Sequence, residues 1–501
     1  MNVNFIALKK NIGIVLGFLL FVVIQLCPTP EGMSNEAKGA SGVVLLMSIW
    51  WITEAVPVYV TALVPLVLFP FFNILSPSET ASNYGHNYVL MFLAIFFLAK
   101  AIEIQNLHKR IALKILTLFG TSRSRIILSM MVATAFISMW IANVTTALMM
   151  LPIGLSIIEK DENLIAGKNY FAPALMLAIA YSASIGGLAT LIGSPTNMIF
   201  IGIFEKLFPE GPSFNFFQWL KIGIPIVFVL LPIFWIFIVK YFKIDGTLSD
   251  NLNIVREELK ALGGIRLGEK RVLYVAIFTV FAWVFKDAMY IGEFHIFGWT
   301  ELLGISDRIH DGTIAMAAAI LLFIIPADKS RKLLNWHEAS QVPWGVVIIV
   351  GGGYAVANAF DATGLANWLG GQLTFVSNFS FFTILIVVIA FVLIFTEFNS
   401  NTASANILLP ILASTALAAN MNPLLFMIPA TVVCSCAFMM PAATGPNTVV
   451  FASNRVSVPE MIKCGFWLNL IILLILPLIF YFVIIPWLGI ELELPEWAII
   501  G

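Results

Sequence analysis

Long apolar runs separated by short polar connections fill almost the whole chain. A helix that crosses a bilayer needs about 20 apolar residues. Runs approaching this length occur at 12–27, 40–53, 56–75, 86–103, 172–204, 219–241, 272–286, 312–326, 343–360, 424–452 and 464–487. The pattern predicts an all-α polytopic membrane protein with about eleven transmembrane helices.

Two further apolar stretches have a different pattern. Stretches 126–158 and 381–419 are each interrupted near the centre by a polar cluster, at 142–146 and 399–402. The arms on either side contain about 12–16 residues, fewer than a crossing needs at about 1.5 Å per residue. We therefore expect two re-entrant helical hairpins with tips near the bilayer midplane, where freed backbone groups line a protein cavity.

The distribution of basic residues predicts the orientation of the chain in the cell (inner) membrane. Cytoplasmic loops carry an excess of Lys and Arg, and segments 100–125 and 240–271 contain many of the 27 basic residues. This places the N-terminus in the cytoplasm and the C-terminus outside. Lys9 and Lys10 precede the first run, and Pro28 follows it in place of a small-residue cleavage site, which indicates an uncleaved signal anchor.

Short motifs recur at a fixed distance along the chain. Asn143 and Asn401 are 258 residues apart, and Leu-Pro-Ile at 151–153 recurs at 409–411 with the same displacement. The motif [Ser/Thr]-x-x-Asn that ends at Asn197 recurs 250 residues later. Because an odd number of crossings separates equivalent elements, the two copies run through the membrane in opposite directions, as in many secondary transporters.

The repeat divides the chain into segments, and each repeat contains one hairpin and one broken helix. A long polar stretch lies between the two copies. The segments are an N-terminal signal-anchor helix at 1–39, a first repeat at 40–242, a cytoplasmic connection at 243–271, a second repeat at 272–463 and a C-terminal helix at 464–501.

Composition agrees with a membrane location. Of the 501 residues, 60% are hydrophobic and 11% are charged, whereas soluble domains have about 25% charged residues. The net charge of −1 excludes binding to nucleic acid through bulk positive charge. The four cysteines form no CxxC pair and the five histidines form no HExxH motif, so neither a metal centre nor an enzyme is expected.

The polar clusters at the hairpin tips and in the broken spans contain the candidate binding groups. Gly and Pro within 172–204 and 424–452 free backbone carbonyls from the helical ladder. The tips add helix N-termini, whose N–H groups favour anions, while carbonyl oxygens suit a small hard cation. The pattern therefore predicts a site for an anion together with bound cations. The candidate donors at the tips are Asn143, Thr145, Thr146, Ser400, Asn401 and Thr402.

These clusters contain no Arg or Lys, so a bound dianion needs compensation from cations or from a nearby fixed charge. The ionisable residues within the apolar segments are Lys100, Glu103 and Glu397. We interpret Lys100 as reaching the cytoplasmic interface. Two interpretations remain open for Glu397, which either braces the second hairpin or lies near the substrate.

Four stretches carry recognisable motifs: Trp50-Trp51-Ile52-Thr53-Glu54-Ala55-Val56-Pro57, Met139-Trp140-Ile141-x-Asn143, Glu397-Phe398-Asn399-Ser400-Asn401-Thr402-Ala403 and Gly351-Gly352-Gly353. They resemble the divalent anion/sodium symporter family, the INDY-like di- and tricarboxylate transporters, and the likeness runs nearly end to end. The resemblance implies a small di- or tricarboxylate substrate and a homodimer in the lipid bilayer. It also implies a scaffold domain and a transport domain that slides as an elevator.

The resemblance also assigns roles to residues, with Na⁺ as the coupling ion and no other cofactor. Substrate carboxylates would contact Asn143, Ser400, Asn401 and Thr402, with further contacts from Pro195, Thr196, Thr444 and Pro446. One Na⁺ site would lie near Asn143, Gly193 and Asn197. The other would lie near Asn401, Thr444 and Asn447.

The first hairpin departs from the family's pattern. Its motif is usually Ser-Asn-Thr, whereas this chain has Ala142-Asn143-Val144 and therefore lacks two hydroxyls. Thr145 and Thr146, from the next turn, are the residues able to replace them. A weakened first cation site favours exchange of one dicarboxylate for another over the alternative, Na⁺-coupled symport. An anion channel is a more distant alternative, because a repeat alone does not exclude it.

Overall fold

The computed structural model describes most of the chain, and the described part is almost entirely helical. The described residues are 3–118, 120, 122–162, 170–246, 251–291, 294–372 and 379–499. Within these ranges, one short pair of antiparallel strands forms the only sheet. The predicted all-α architecture is confirmed.

The N-terminal part forms a series of helices of very different length. They are α1 (Val3–Leu26), α2 (Asn35–Thr53), α3 (Val58–Thr61), α4 (Val64–Phe71), α5 (Pro77–Ser82), α6 (Asn87–Ile104) and α7 (Leu107–Leu116). The run 56–75, predicted as one span, is instead divided between α3 and α4. Pro65, near the start of α4, has no amide hydrogen to donate to the carbonyl of Thr61, which interrupts the helical hydrogen bonds at this point.

The next five helices contain two interruptions. They are α8 (Arg123–Ser138), α9 (Asn143–Glu162), α10 (Phe171–Gly186), α11 (Pro195–Leu207) and α12 (Phe216–Tyr241). The chain leaves helical geometry at 139–142, between α8 and α9, and at 187–194, between α10 and α11. Both interruptions lie at or beside the polar clusters of the sequence, where Asn, Ser, Gly and Pro disfavour a continuous helix.

The middle of the chain contains the strand pair, which the sequence did not predict. The elements are α13 (Asn251–Ala261), α14 (Leu267–Val284), β1 (Met289–Ile291), β2 (Phe294–Ile296), α15 (Trp299–Leu302), α16 (Asp311–Ile324), α17 (Trp336–Ala339), α18 (Trp344–Ala362) and α19 (Leu365–Gln372). In the strand pair, Met289 lies opposite Ile296. α13 lies within the polar connection between the proposed repeats.

The C-terminal part contains the second pair of interruptions. Its helices are α20 (Phe381–Phe398), α21 (Asn401–Ala418), α22 (Leu424–Cys434), α23 (Gly445–Ala452), α24 (Val458–Ile479) and α25 (Ile485–Leu488). A π-helical turn, Phe480–Ile484, connects α24 to α25. Helical geometry is lost at 399–400 and at 435–444.

Six helices of the described chain are long and apolar enough to cross a bilayer. They are Pro77–Ile104, Phe216–Tyr241, Trp344–Ala362, Phe381–Phe398, Asn401–Ala418 and Val458–Leu488. Shorter apolar helices of 10–17 residues are Lys10–Leu26, Val58–Phe71, Asn143–Glu159, Phe171–Gly186, Asp311–Ile324 and Leu424–Cys434. This set of helices is that of a polytopic membrane protein.

Three of the four hairpin arms are longer than the predicted 12–16 residues, and α8 is at the upper limit of that range. α8, α9, α20 and α21 contain 16, 20, 18 and 18 residues. α8 and α20 begin at polar caps outside the apolar stretches, where Ser122 and Ser380 accept hydrogen bonds from backbone N–H groups. The two 18-residue arms of the second hairpin are long enough to cross a bilayer, so the argument from arm length was wrong for that hairpin. The hairpin interpretation depends instead on where the tips pack.

α10 and α22 lie at the centre of the molecule. Every residue of each of these helices is buried. A helix that is buried on all sides faces protein rather than lipid. These two helices are the first halves of the broken helices. The break at 187–194 is buried throughout, whereas the break at 435–444 is buried at 435–438 and becomes exposed at 442.

The repeat is visible in backbone conformation as well as in sequence. Asn106 and Gly364 are 258 residues apart, and both have positive φ, at 60° and 72°. Asn and Gly are the residues that adopt this left-handed conformation most readily. The first turns the chain from α6 into α7, and the second turns it from α18 into α19.

Candidate functional site

The breaks in the helices are joined by direct contacts. The Ser435 hydroxyl, which follows α22, is hydrogen-bonded to Ser194 at 3.2 Å and to Thr196 at 2.9 Å, at the start of α11. At the first hairpin tip, Val144 packs so closely against Gly445 that a side chain on Gly445 would overlap with it. The first tip and both broken helices therefore form one cluster.

Each hairpin is also bonded to the broken helix of its own half. Ser138 Oγ, at the end of α8, donates to the carbonyl of Ala183 at 2.6 Å. Thr396 Oγ1, near the end of α20, donates to the carbonyl of Cys434 at 2.9 Å. The sequence analysis missed Ser138 and Thr396, although their separation of 258 residues is the repeat distance and would have identified them.

Two asparagines predicted to lie near cations brace the breaks. Asn197 Nδ2 donates to the carbonyls of Gly187 at 3.0 Å and Thr190 at 2.8 Å. These bonds satisfy buried backbone oxygens that the interruption of the helix has released. Asn447, which makes the equivalent bonds in the second half, is considered further in the Discussion.

Asn143 is buried in a shell of oxygen atoms. One end of its side-chain amide lies 2.8 Å from Ser138 Oγ, 3.0 Å from the carbonyl oxygen of Gly193 and 3.1 Å from that of Ala183. Gly187 lies against the same amide, and a Cβ atom at Gly187 would overlap with it. With its nitrogen at this end, Asn143 donates to the surrounding oxygens. With its oxygen there, the amide would face acceptors, because the Ser138 hydroxyl already donates to Ala183, so the nitrogen belongs at this end.

Asn401 occupies the corresponding position at the second tip. Its side chain is half-buried, and its amide oxygen is buried without a hydrogen-bond donor. Ser400 caps α21 by accepting a hydrogen bond from the N–H of Ala403 at 3.3 Å, and its hydroxyl lies 3.4 Å from Thr402 Oγ1. A buried acceptor without a donor costs about 1–3 kcal/mol, so Asn401 presents an oxygen with unused capacity.

The remaining predicted residues fall into two groups. Thr146 is buried and donates to the carbonyl of Ile141 at 3.3 Å, so its hydroxyl is used within the tip. Thr444 is also buried and caps α23, because its Oγ1 accepts from the N–H of Asn447 at 3.3 Å. Thr196 and Pro446 are buried as well, whereas Thr145, Pro195, Ser400, Asn401 and Thr402 are half-buried.

The Glu397 carboxylate holds the break between α22 and α23. It is 4% exposed and accepts hydrogen bonds from the backbone N–H groups of Phe438 at 2.8 Å, Met439 at 3.0 Å and Met440 at 3.2 Å. Asn469 Nδ2 in α24 adds a fourth at 2.7 Å. Glu397 therefore braces the second hairpin against this break. No motif or spacing in the sequence pointed to Asn469.

The other intramembrane charges compensate each other outside this cluster. Lys100 Nζ lies 2.9 Å from a Glu103 carboxylate oxygen, one turn along α6. No group of three or more His, Cys, Asp or Glu side chains among the described residues is placed to hold a metal ion. Any cation in the described cluster would therefore be bound mainly by neutral oxygens.

Helix N-termini give the cluster a positive electrostatic character. α9 begins at Asn143, α11 at Pro195, α21 at Asn401 and α23 at Gly445, each at an interruption of the fold. The unpaired N–H groups and partial positive charge of a helix N-terminus attract anions. The cluster thus combines donors for an anion with carbonyl and amide oxygens for cations.

Interrupted helices that meet at a buried polar cluster are typical of secondary transporters built from inverted repeats. The family model described as the sodium:sulfate symporter transmembrane region matches residues 8–489. The chain belongs to this family, which confirms the resemblance found in its motifs. Membership of a transporter family also agrees with the expectation that the chain is not an enzyme.

Two relatives and one solved structure are similar over most of their length. A sodium-dependent dicarboxylate transporter SdcS of Staphylococcus saprophyticus is 41% identical, with 97% of this chain and 93% of the relative covered. SdcS of Staphylococcus aureus strain N315 is 40% identical with the same coverage. The structure of Neisseria gonorrhoeae MtrF has a TM-score of 0.57 at 11% identity, covering 97% of this chain and 96% of MtrF. This last likeness concerns the fold alone.

Proposed function

We propose that the chain carries dicarboxylates of the C4 type across the cell membrane together with Na⁺. The three oxygens around the Asn143 amide, from Ser138, Ala183 and Gly193, carry this proposal, because they offer ligands for a cation at the hairpin that lacks two hydroxyls. The relatives named as sodium-dependent dicarboxylate transporters support it. Exchange, which the sequence analysis favoured on the missing hydroxyls, is therefore replaced by the alternative of Na⁺-coupled symport.

The first cation site would use neutral oxygens from three elements. Ser138 Oγ and the carbonyl oxygens of Ala183 and Gly193, which surround the Asn143 amide nitrogen at 2.8–3.1 Å, would hold Na⁺ once the amide turns its oxygen toward them. A hard cation prefers such oxygen ligands. Bound Na⁺ would supply the positive charge that the side chains of this cluster lack. Ser138 thus offers a hydroxyl in place of those missing at 142 and 144.

The second cation site would be built from the equivalent groups. Asn401 has a buried amide oxygen without a donor, and Thr396 and the carbonyl of Cys434 are the counterparts of Ser138 and Ala183. A cation here would satisfy the Asn401 oxygen. The half-buried hydroxyls of Ser400 and Thr402 and the helix N-termini would then bind the substrate carboxylates.

We also propose that the hairpins and broken helices move together as an elevator-type transport domain against a scaffold. The direct bonds between the cluster's elements, such as Ser435 with Thr196 at 2.9 Å, support their movement as one body. The chain would act as a homodimer in the membrane, with its N-terminus in the cytoplasm.

Uptake by reconstituted vesicles tests the proposal. Purified protein in proteoliposomes should accumulate labelled succinate when an inward Na⁺ gradient is applied, and uptake should saturate with succinate concentration. Replacement of Na⁺ by K⁺ should abolish accumulation, and excess unlabelled sulfate should compete poorly. Uptake that requires internal dicarboxylate and is indifferent to Na⁺ would establish exchange and overturn the proposal, while uptake without saturation would indicate a channel.

A variant at the second tip connects this activity to the site. Asn401→Ala removes the amide oxygen and should reduce Na⁺-driven uptake at least tenfold. Asn367→Ala removes an exposed asparagine of α19 and should leave uptake unchanged. Both variants should elute as monodisperse protein. Equal uptake by the two variants would contradict the assignment of Asn401.

A further inference from the structure

An apolar cavity separates the first hairpin from α14. It encloses about 240 Å³ and is lined by residues of α6, α7, α8 and α14 and of the turn that follows α8. Apart from His108, its lining side chains are aliphatic or aromatic hydrophobic groups. A cavity without polar partners cannot hold ordered water, so an apolar ligand is the occupant that suits it.

The cavity opens sideways onto the surface of the protein that faces lipid. Two of its lining residues, Phe136 of α8 and Ile277 of α14, are exposed by 39% and 57%. Along α14 the lining extends from Leu273 to Val280, about 10 Å of helix axis. One leaflet of the bilayer contributes roughly 15 Å of hydrocarbon. The cavity therefore has the depth of part of one leaflet.

Basic side chains lie at the end of the cavity that the distribution of Lys and Arg along the chain places toward the cytoplasm. Lys270 is exposed and lies three residues before Leu273, one turn earlier on the same face of α14. Arg266, also exposed, directly precedes α14. The acidic neighbours are paired: Glu269 with the Arg110 guanidinium, at 3.1 Å from Nη2 to Oε1, and Glu103 with Lys100. The local charge available to a ligand is positive.

We propose that this cavity binds one acyl chain of an anionic phospholipid of the cytoplasmic leaflet. The chain occupies the apolar space between α8 and α14, and the phosphate lies beside Lys270 and Arg266. The apolar cavity matches the acyl chain of such a lipid, and the basic residues one to two turns earlier on α14 match its phosphate. A neutral lipid matches the cavity alone.

The position of this lipid connects it to the first hairpin tip. Trp140 and Ile141 line the cavity and belong to the turn between α8 and Asn143, the first residue of α9. Trp140 also stacks on Phe216 of α12, with ring centroids 6.5 Å apart, and Phe216 stacks on Trp283 of α14 at 4.7 Å. A bound acyl chain thus fills the cavity beside these three stacked rings, which hold the first hairpin tip against α14.

Lipid retention by purified protein tests the binding site without reference to transport. Protein purified from membranes that contain phosphatidylglycerol should retain this lipid after detergent exchange, as measured by native mass spectrometry. Ala276→Trp fills the cavity from α14 and should reduce the retained lipid at least fivefold. Phe281→Trp alters an exposed residue of the same helix that does not line the cavity and should retain as much lipid as the unaltered protein.

A second measurement identifies the headgroup contact in protein whose cavity is intact. Arg266→Gln combined with Lys270→Gln should abolish the preference for phosphatidylglycerol over phosphatidylcholine in competition, whereas Lys240→Gln, at the exposed end of α12, should preserve it. Equal lipid retention by Ala276→Trp and Phe281→Trp would overturn the proposal. So would recovery of a free fatty acid in place of phospholipid, or a change in oligomeric state of Ala276→Trp without loss of lipid, which would assign the cavity to a second copy of the chain.

Discussion

Asn197 and Asn447 make the same pair of side-chain hydrogen bonds in the two halves of the protein. Asn447 Nδ2 donates to the carbonyls of Ala437 and Met440, both at 3.1 Å. As in the bonds of Asn197, the acceptors lie ten and seven residues earlier in the chain. Each asparagine therefore satisfies two carbonyls released by the break that precedes it.

Removal of either brace should destabilise the protein. Asn197→Ala and Asn447→Ala each remove the donor to one buried carbonyl, that of Gly187 or of Ala437, and weaken the bonding of a second that keeps a backbone donor, which should lower the free energy of unfolding by about 2 kcal/mol. Thermal unfolding in detergent should therefore occur at a lower temperature for both variants than for Asn367→Ala, whose side chain is exposed. An unchanged unfolding temperature in both variants would show that the breaks do not need these bonds.

The charge of Glu397 should matter to stability and to uptake. Glutamine has one acceptor oxygen and presents an NH₂ group to neighbours that are donors, so Glu397→Gln should lower the free energy of unfolding by about 3 kcal/mol. Uptake of succinate should fall at least tenfold, because the break between α22 and α23 changes shape when it loses these hydrogen bonds. Glu460→Gln is the matched control, since Glu460 is only half-buried and its role in the capping box at Ser457 suits Gln equally well. Equal behaviour of the two variants would refute this role of Glu397.

Restoration of hydroxyls at the first tip should strengthen Na⁺ binding. Ala142→Ser combined with Val144→Thr adds oxygens beside Asn143 while preserving the branched shape that packs against Gly445. The Na⁺ concentration for half-maximal uptake should fall by about tenfold, equivalent to about 1.4 kcal/mol. Leu148→Thr, an exposed position one turn later in α9, should have no such effect. An unaltered Na⁺ dependence in the double variant would mean that the first cation is held without these positions.

Cysteine labelling tests the orientation of the chain. Of the four cysteines, Cys27 is exposed at the end of α1, while Cys434, Cys436 and Cys464 are buried. With a cytoplasmic N-terminus, Cys27 should react in intact cells with a membrane-impermeant maleimide, and Cys27→Ser should abolish this signal. Labelling that occurs only after the cells are permeabilised would reverse the predicted orientation.

Local sequence was sufficient to locate the interruptions of the helices. A polar cluster inside an apolar run, as at 399–402, disfavours a continuous helix whatever surrounds it. Proline acts in the same local way at Pro195 and Pro446, each in the first turn of a helix. The repeat distance then related one half of the site to the other, because a displacement in sequence needs no knowledge of the fold.

Contacts between distant parts of the chain could not be predicted in this way. Glu397 meets the amides of 438–440 only because α20 packs against α22 in three dimensions, and no spacing in the sequence indicates that pairing. The same limit applies to Ser435 and Thr196, which are 239 residues apart. The arm lengths were misjudged for a different reason. Hydropathy marks the apolar core of a helix, whereas α9 and α21 begin within the polar clusters themselves, at Asn143 and Asn401.

The bonds that brace both breaks end on main-chain carbonyls, which every amino acid provides. Substitutions near the tips can therefore accumulate during evolution without dismantling the architecture, provided that the two bracing asparagines persist. The first tip illustrates this freedom, since alanine and valine now flank Asn143 in a fold that retains its bracing. Divergence of cargo and of driving ion among descendants of one ancestral transporter would then require few changes, all of them confined to side chains that face the ligand.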